Sequence, residues 1–158
     1  LPHSGKVTAY KSFVRSLMEY ESPFWSGASS ALQLLDKIQN RAISIFDITN
    51  PVNLCIQPLF HRRNVASLCV FYKFFNQPAT SELKMLIPGL ATRPRCSRLT
   101  SALHRFALEL PKSRTSSHLR SFIPSIGRLW NELPQNVFPA EFNMQLFKSS
   151  VNRFLMQR

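Results

Sequence analysis

The stretch 61–75, HRRNVASLCVFYKFF, constrains the fold more than any other part of the sequence. Its main apolar positions recur at helical spacing: Val65, Leu68, Cys69, Tyr72 and Phe75. Most of the remaining circumference is also apolar, at Ala66, Val70, Phe71 and Phe74. A helix that is apolar nearly all round is normally surrounded by other elements. The sequence therefore predicts a buried central helix, of which only the polar opening His61-Arg62-Arg63 should reach solvent.

Two further helices are predicted before this central one. Val7, Tyr10, Val14 and Leu17 mark one face of the first, which should end before Pro23 because proline disfavours a helical residue in front of it. A second helix opens at a capping box, Ser30 followed by Gln33. Its apolar stripe is predicted to be Ala31, Leu34, Leu35, Ile38, Ala42, Ile45 and Phe46. Short connections then predict a unit of three antiparallel helices in residues 1–77.

Residues 78–158 have a different pattern, which predicts a small α+β tail. Residues 81–87 fit one short stretch of helix. Leucine and phenylalanine positions in 103–110 and 119–123 are compatible with two short strands of a hairpin. Ser125 precedes a short amphipathic helix, and Asn143 can cap a last one. The predicted fold class is therefore mainly α, a three-helix unit followed by a basic α+β tail with a hairpin.

The net charge of +12 over 158 residues favours a polyanionic partner, with nucleic acid ahead of an anionic membrane. Residues 84–128 hold nine basic residues against Glu109 alone, which is +8 of the total. Within them Arg93, Arg95 and Arg98 share a proline-stiffened segment, and arginine binds phosphate oxygens bidentately. The alternative is a solvated basic loop that only keeps the protein soluble. Tyr10, Tyr72 and Trp130 could stack on bases, but their apolar surroundings favour core packing.

Nothing in the sequence has the spacing of a catalytic or metal site. The eight carboxylates are scattered, no aspartate pair could hold Mg²⁺, and four glycines leave little material for a phosphate loop. Histidines and cysteines lack metal-ligand spacing, and three widely separated cysteines favour a reducing, intracellular compartment. We therefore expect no cofactor, no small-molecule substrate and no enzymatic activity. An independent enzyme remains the alternative, and it would need polar groups that converge in a pocket.

No apolar run reaches membrane-spanning length and no secretory signal pattern is present, so no membrane partner is expected. The first residue is Leu1 and not methionine, which favours a fragment of a longer protein.

Several stretches resemble segments of one protein family, and they follow the family's order along nearly the whole chain. They include LDKIQNRA at 35–42, LFHRRNVASLCVFY at 59–72 and RLWNELP at 128–134. Residues 10–14, 17–20, 23–27, 93–95, 121–124, 137–139 and 147–155 complete the series. Together they resemble the thumb and C-terminal tail of non-LTR (LINE-type, jockey-like) retrotransposon reverse transcriptases.

The resemblance implies a thumb-like helical unit and a non-catalytic C-terminal part of an RNA-directed DNA polymerase. In that family the catalytic aspartates and their Mg²⁺ belong to a palm domain that this sequence does not contain, so no catalytic residue is carried over. The implied partners are RNA, an RNA–DNA duplex and the upstream polymerase domain, in the cytoplasm and nucleus. The alternative is a helical protein-interaction relic that docks on the missing palm without binding nucleic acid.

Charge pattern and resemblance together give a set of candidate nucleic-acid-binding residues. They are Lys6, Lys11, Arg15, Lys37, Arg41, Arg62, Arg63, Arg93, Arg95, Arg98, Arg105, Lys112, Arg114 and Arg120. Their expected role is sequence-independent contact with the phosphate backbone.

Overall fold

A computed structural model of the chain describes residues 3–25, 29–46, 56–77, 81–91 and 104–157. These residues are mainly helical, which confirms the mainly α part of the predicted fold class. The helices are α1 (His3–Ala9), α2 (Arg15–Glu19), α3 (Ser22–Trp25), α4 (Ser29–Ile45), α5 (Leu59–Asn76), α6 (Ser81–Leu86), α7 (Ser116–Arg120), α8 (Phe122–Asn131) and α9 (Met144–Met156). A π-helical segment, Tyr10–Val14, joins α1 to α2, and a 3₁₀ turn spans Gln135–Val137.

The chain forms two compact units, Leu1–Asn64 and Val65–Arg158. The boundary falls inside α5, whereas the sequence placed it after residue 77. The reason is that α5 supplies side chains to two separate cores. Its first residue, Leu59, packs in the core of the first unit, while residues from Val65 onward pack in the core of the second.

The first unit has a small core built on the helical run from α1 to α2. The Tyr10 ring meets Phe46 edge to face at a centroid distance of 5.6 Å. Val7, Met18, Ile56 and Leu59 complete this core. The π-helical turn lies where the hydroxyls of Thr8, Ser12 and Ser16 each donate to the carbonyl four residues earlier. Such back-bonding competes with the regular helical hydrogen bonds and is a known cause of helix distortion.

The predicted stripe of α4 is wrong in part, because the structure buries only one edge of it. Phe46 is buried and Leu35 partly buried, whereas Leu34 and Ile38 are exposed. The inward face is instead organised by Gln39. Its Oε1 accepts a hydrogen bond from Tyr10 Oη at 3.2 Å, and its Nε2 donates to the Gln57 carbonyl at 3.3 Å. A buried carboxamide with two partners turns the helix away from the face that apolar spacing alone predicts.

The second unit is built around Trp130, which has no exposed surface. Its ring meets Phe71 at 5.0 Å and Phe138 at 4.8 Å, both edge to face. The indole Nε1 donates to the Phe106 carbonyl at 2.8 Å, so the buried ring has its polar partner. Leu68 and Phe71 of α5 are fully buried here, which confirms the predicted central helix.

The predicted hairpin is wrong. Residues 119–123 lie in α7 and the start of α8, where Thr115 Oγ1 caps α7 by accepting from the His118 amide at 3.2 Å. Leu108 instead forms an isolated antiparallel bridge with Leu90. The Asn131 carboxamide accepts from the Leu108 amide at 2.8 Å and donates to the Leu108 carbonyl at 2.9 Å. One side chain thus satisfies the backbone groups that a neighbouring strand would have paired.

Two shorter predictions are confirmed. Residues 81–86 form α6, and Asn143 caps α9, since its Oδ1 accepts from the Leu146 amide at 3.0 Å.

Candidate nucleic-acid interface

Arg62 is held by an ion pair inside the first unit. Its Nη2 donates to Glu19 Oε2 at 2.8 Å, and its Nε donates to Glu19 Oε1. This bidentate contact raises the pKa of the Arg62 guanidinium. Arg15 lies on the same carboxylate, with its Nε 3.8 Å from Glu19 Oε1. Glu19 therefore neutralises part of the charge that the sequence assigned to a ligand.

Arg63 is buried, with an exposed fraction of 6%. Its Nη2 donates to Asp36 Oδ1 at 2.8 Å, while its Nη1 is buried with no hydrogen-bond partner. His61 beside it is also buried. The prediction that the opening of α5 faces solvent is thus wrong for His61 and Arg63, which are buried, while Arg62 stays partly exposed. Arg62 and Arg63 stabilise that unit, and the candidate interface excludes both.

The other candidates of the first unit differ in exposure. Lys37 and Arg41 on α4 are exposed, while Lys6 and Lys11 are partly buried. Arg62 and Arg63 each donate a hydrogen bond to a carboxylate. The exposed candidates of the first unit are thus Lys37 and Arg41.

The second unit presents its basic side chains to solvent. Arg105, Lys112, Arg114 and Arg120 are all exposed, as is Arg128 farther along the same stretch. Glu109 is the one acidic residue between positions 105 and 128. The structure therefore exposes four of the predicted contacts within one contiguous segment of 24 positions, 105 to 128.

Hydrogen bonds within this basic segment hold its own backbone in place. Arg128 Nη2 donates to the Leu119 carbonyl at 2.5 Å, and its Nε donates to the Pro124 carbonyl at 3.1 Å. A basic side chain on the last carbonyls of a helix is a favourable C-terminal cap. The Ser113 hydroxyl lies 2.9 Å from His118 Nδ1. The backbone that carries Arg114 and Arg120 is consequently held in place by side chains of its own segment.

Arg93, Arg95 and Arg98 lie outside the described residues, so their contribution stays a sequence-based prediction. The three aromatic residues considered for stacking on bases are core residues, as the sequence favoured. Tyr10, Tyr72 and Trp130 are each at most 4% exposed.

The second unit also contains a cleft of about 370 Å³ that sequence reasoning missed. Its aromatic lining includes Tyr72, Phe75, Phe106 and Phe142. The Tyr72 and Phe142 rings stack at a centroid distance of 5.3 Å with an interplanar angle of 12°. Most of these residues are far apart in the sequence, so their spacing does not predict a common cleft. The one local signal is the basic residue Arg105 next to the aromatic Phe106. The Arg105 guanidinium carbon lies 4.6 Å from the centre of the Phe106 ring.

Two titratable groups, the buried His104 and the partly buried Cys69, have pKa values shifted by their surroundings. His104 Nδ1 accepts from the Phe106 amide at 3.1 Å, and its Nε2 lies 2.9 Å from the Trp130 carbonyl. Burial lowers the pKa of this imidazole, since the charged form loses its hydration. Burial likewise raises the pKa of the Cys69 thiol, which favours its role as a small core residue.

Within the described ranges, no group of three histidine, cysteine, aspartate or glutamate side chains is placed to hold a metal ion. The described helices are all too short or too polar to cross a membrane. No family model, curated protein or solved structure matches the chain.

Proposed function

We propose that the chain is a non-catalytic nucleic-acid-binding part of an RNA-directed DNA polymerase of the non-LTR retrotransposon type. In this proposal the second unit contacts the phosphate backbone of an RNA duplex or an RNA–DNA duplex, independently of sequence. The resemblance of stretches such as 35–42, 59–72 and 128–134 supports the parent protein. The exposed basic segment of the second unit supports the activity.

The observation that carries the proposal is the different treatment of arginine in the two units. In the first unit Arg62 forms an ion pair with Glu19, and Arg63 forms one with Asp36. Between positions 105 and 128 of the second unit five basic residues face solvent against one acidic residue. Such an excess attracts a polyanion, and guanidinium groups bind phosphate oxygens by charge-assisted hydrogen bonds.

Backbone binding of this kind has a characteristic dependence on salt. Each phosphate neutralised releases condensed counterions, so log K falls with log[salt] by about 0.7 to 0.9 per contact. Three contacts removed together should therefore lower the slope by about 2 to 3. The loss of affinity should be similar for every sequence, because phosphates carry no base information.

The test is a salt titration of RNA-duplex and RNA–DNA-duplex binding, measured by fluorescence anisotropy. The variant Lys112→Ala/Arg114→Ala/Arg120→Ala removes three exposed cations of the basic segment. The matched control removes the same charge from exposed positions of the second unit outside that segment, Lys73→Ala/Lys148→Ala/Arg153→Ala. We expect the first variant to lower the slope by about 2 to 3 and the control to change it by less than about 1. Equal slopes for wild type and first variant would refute the interface.

The exposed apolar side chains of the first unit favour a second candidate function, docking on an upstream polymerase domain. Phe13, Leu17 and Tyr20 follow at i, i+4 and i+7 and are 72%, 77% and 69% exposed. Leu34 and Ile38 of α4 are also exposed. Under this function the chain should self-associate in sedimentation velocity and show little salt-dependent binding of RNA. Phe13→Ser/Leu17→Ser should then restore the monomer.

A further inference from the structure

The aromatic cleft of the second unit combines ring surfaces with polar groups of both charges. Phe142 is 40% exposed, so part of its ring is available to a ligand. Arg105 and Glu141 line the same cleft and are exposed. Within the described part of the chain Glu141 forms no ion pair. The cleft thus offers a cation, an anion and aromatic surface to one small ligand.

The size of the cleft fits one planar ring with its substituents. About 370 Å³ lies at the small end of the range of ligand pockets, which runs from about 300 to 1,000 Å³. Stacking of a nucleobase on an aromatic side chain strengthens binding by about 5-fold to 150-fold for each base. The exposed ring of Phe142 supplies a suitable surface.

The polar groups favour a nucleotide over the aromatic side chain of a protein partner. A nucleotide carries an anionic phosphate that Arg105 can bind, and most bases carry an amino group that the Glu141 carboxylate can accept from. A phenylalanine ring offers neither. Arg105 also belongs to the exposed basic segment, so a strand that follows this segment reaches the cleft.

We propose that the aromatic cleft binds one unpaired nucleotide of an RNA, with the base stacked on the exposed ring of Phe142 and the phosphate on Arg105. This inference rests on the proposed binding of RNA by the second unit. It adds that the chain prefers RNA with an unpaired base over a fully paired duplex. Cytosine, adenine and guanine should bind better than uracil, which has no amino group for Glu141.

The first experiment compares two RNA hairpins with the same stem, one of which carries a single unpaired cytidine. Wild-type protein should bind the bulged hairpin at least about 5-fold more tightly. Phe142→Ala should abolish this preference and leave the Kd for the paired hairpin within about 2-fold, whereas Phe142→Trp should retain it. A uridine bulge should bind less tightly than the cytidine bulge, and Glu141→Ala should remove that difference.

Equal affinity of wild-type protein for both hairpins, or an unchanged preference in Phe142→Ala, would overturn the cleft assignment while the proposed function stands. Failure to bind either hairpin would overturn the proposed function. In that case the cleft is tested by titration with CMP, followed by NMR shifts of the amides of Arg105, Glu141 and Asn76, which also lines the cleft. Phenylalaninamide is titrated in parallel. Shifts with phenylalaninamide and none with CMP would overturn the nucleotide in favour of a protein partner.

Discussion

Asp36→Ala is expected to lower the free energy of unfolding by about 3 kcal/mol, because it leaves the buried Arg63 guanidinium without its counterion. The side chain of Arg63 is 6% exposed, and Nη1 already lacks a partner. Replacing Asp36 by alanine also removes the 2.8 Å hydrogen bond that Arg63 Nη2 donates to the carboxylate. Breaking a buried pair in this way typically costs about 3–5 kcal/mol, and we take the low end because the Asp36 side chain is 39% exposed.

The reverse substitution should cost much less. Arg63→Met keeps an unbranched apolar side chain in the buried site and removes the unpaired Nη1. The Asp36 carboxylate that remains can be hydrated by water. We expect a loss of about 1 kcal/mol for Arg63→Met, and about the same for the double variant, since a hydrophobic replacement of an ion pair is often nearly neutral. Adding Arg63→Met to Asp36→Ala should therefore recover about 2 kcal/mol of the loss.

The assay is urea unfolding followed by circular dichroism, applied to the three variants and wild type. Asn40→Ala is the matched control, because Asn40 is an exposed position of α4 and asparagine has nearly the helix propensity of aspartate. It should raise the free energy of unfolding by about 0.5 kcal/mol, and that gain is subtracted from the Asp36→Ala result. A larger loss for Arg63→Met than for Asp36→Ala would refute the reasoning. Arg63→Met should also leave the salt slope of RNA binding unchanged, which a phosphate contact at Arg63 would contradict.

Two further outcomes are expected. The pKa of His104 lies below its ordinary value of 6.5 because of burial, so the unfolded chain binds the proton first as pH falls. Stability should be complete above pH 6.5 and decrease below it by at most about 1.4 kcal/mol per pH unit, and urea unfolding of His104→Asn should lack this step. Gly127→Ala would place a methyl group 2.3 Å from Leu110 Cδ2, the end of a side chain that can turn away, while helix propensity favours alanine by about 1 kcal/mol. The net loss of stability in thermal unfolding should therefore stay below about 1 kcal/mol. In a Leu110→Ala background the same substitution should instead stabilise by up to about 1 kcal/mol, and an unchanged effect would contradict the steric cause.

Several helices of this chain could be predicted from local signals in the sequence, namely capping residues and the spacing of apolar residues. Asn143 precedes an amphipathic run and caps α9, and the apolar circumference of 61–75 gives the buried α5. The failures involve long-range polar contacts. Gln39 faces inward because Tyr10 and Gln57, 29 and 18 residues away, supply its partners. The spacing of apolar residues does not predict hydrogen bonds between polar side chains that are far apart in the sequence.

The hairpin failed for a related reason. Alternating apolar residues around Leu108 indicate an extended segment, and that part of the interpretation agrees with the bridge to Leu90. The second neighbour of Leu108 is a carboxamide on α8 and not a strand. A side chain that pairs with the backbone as a strand would cannot be predicted from the spacing of apolar residues. The cleft escaped notice likewise, because Tyr72 and Phe142 are 70 positions apart.

Net charge proved a poor measure of the charge available to a ligand. The formal value of +12 counts every arginine equally, yet the guanidinium of Arg63 is buried and that of Arg62 is held by two bonds to Glu19. We therefore expect Arg62 and Arg63 to contribute to the free energy of unfolding and not to the affinity for a ligand. The exposed cations of the described residues therefore include Lys37 and Arg41 of the first unit and the basic residues between positions 105 and 128 of the second, but neither Arg62 nor Arg63. On that basis, charge removed from the basic segment should affect binding, and charge removed at Arg62 or Arg63 should affect stability.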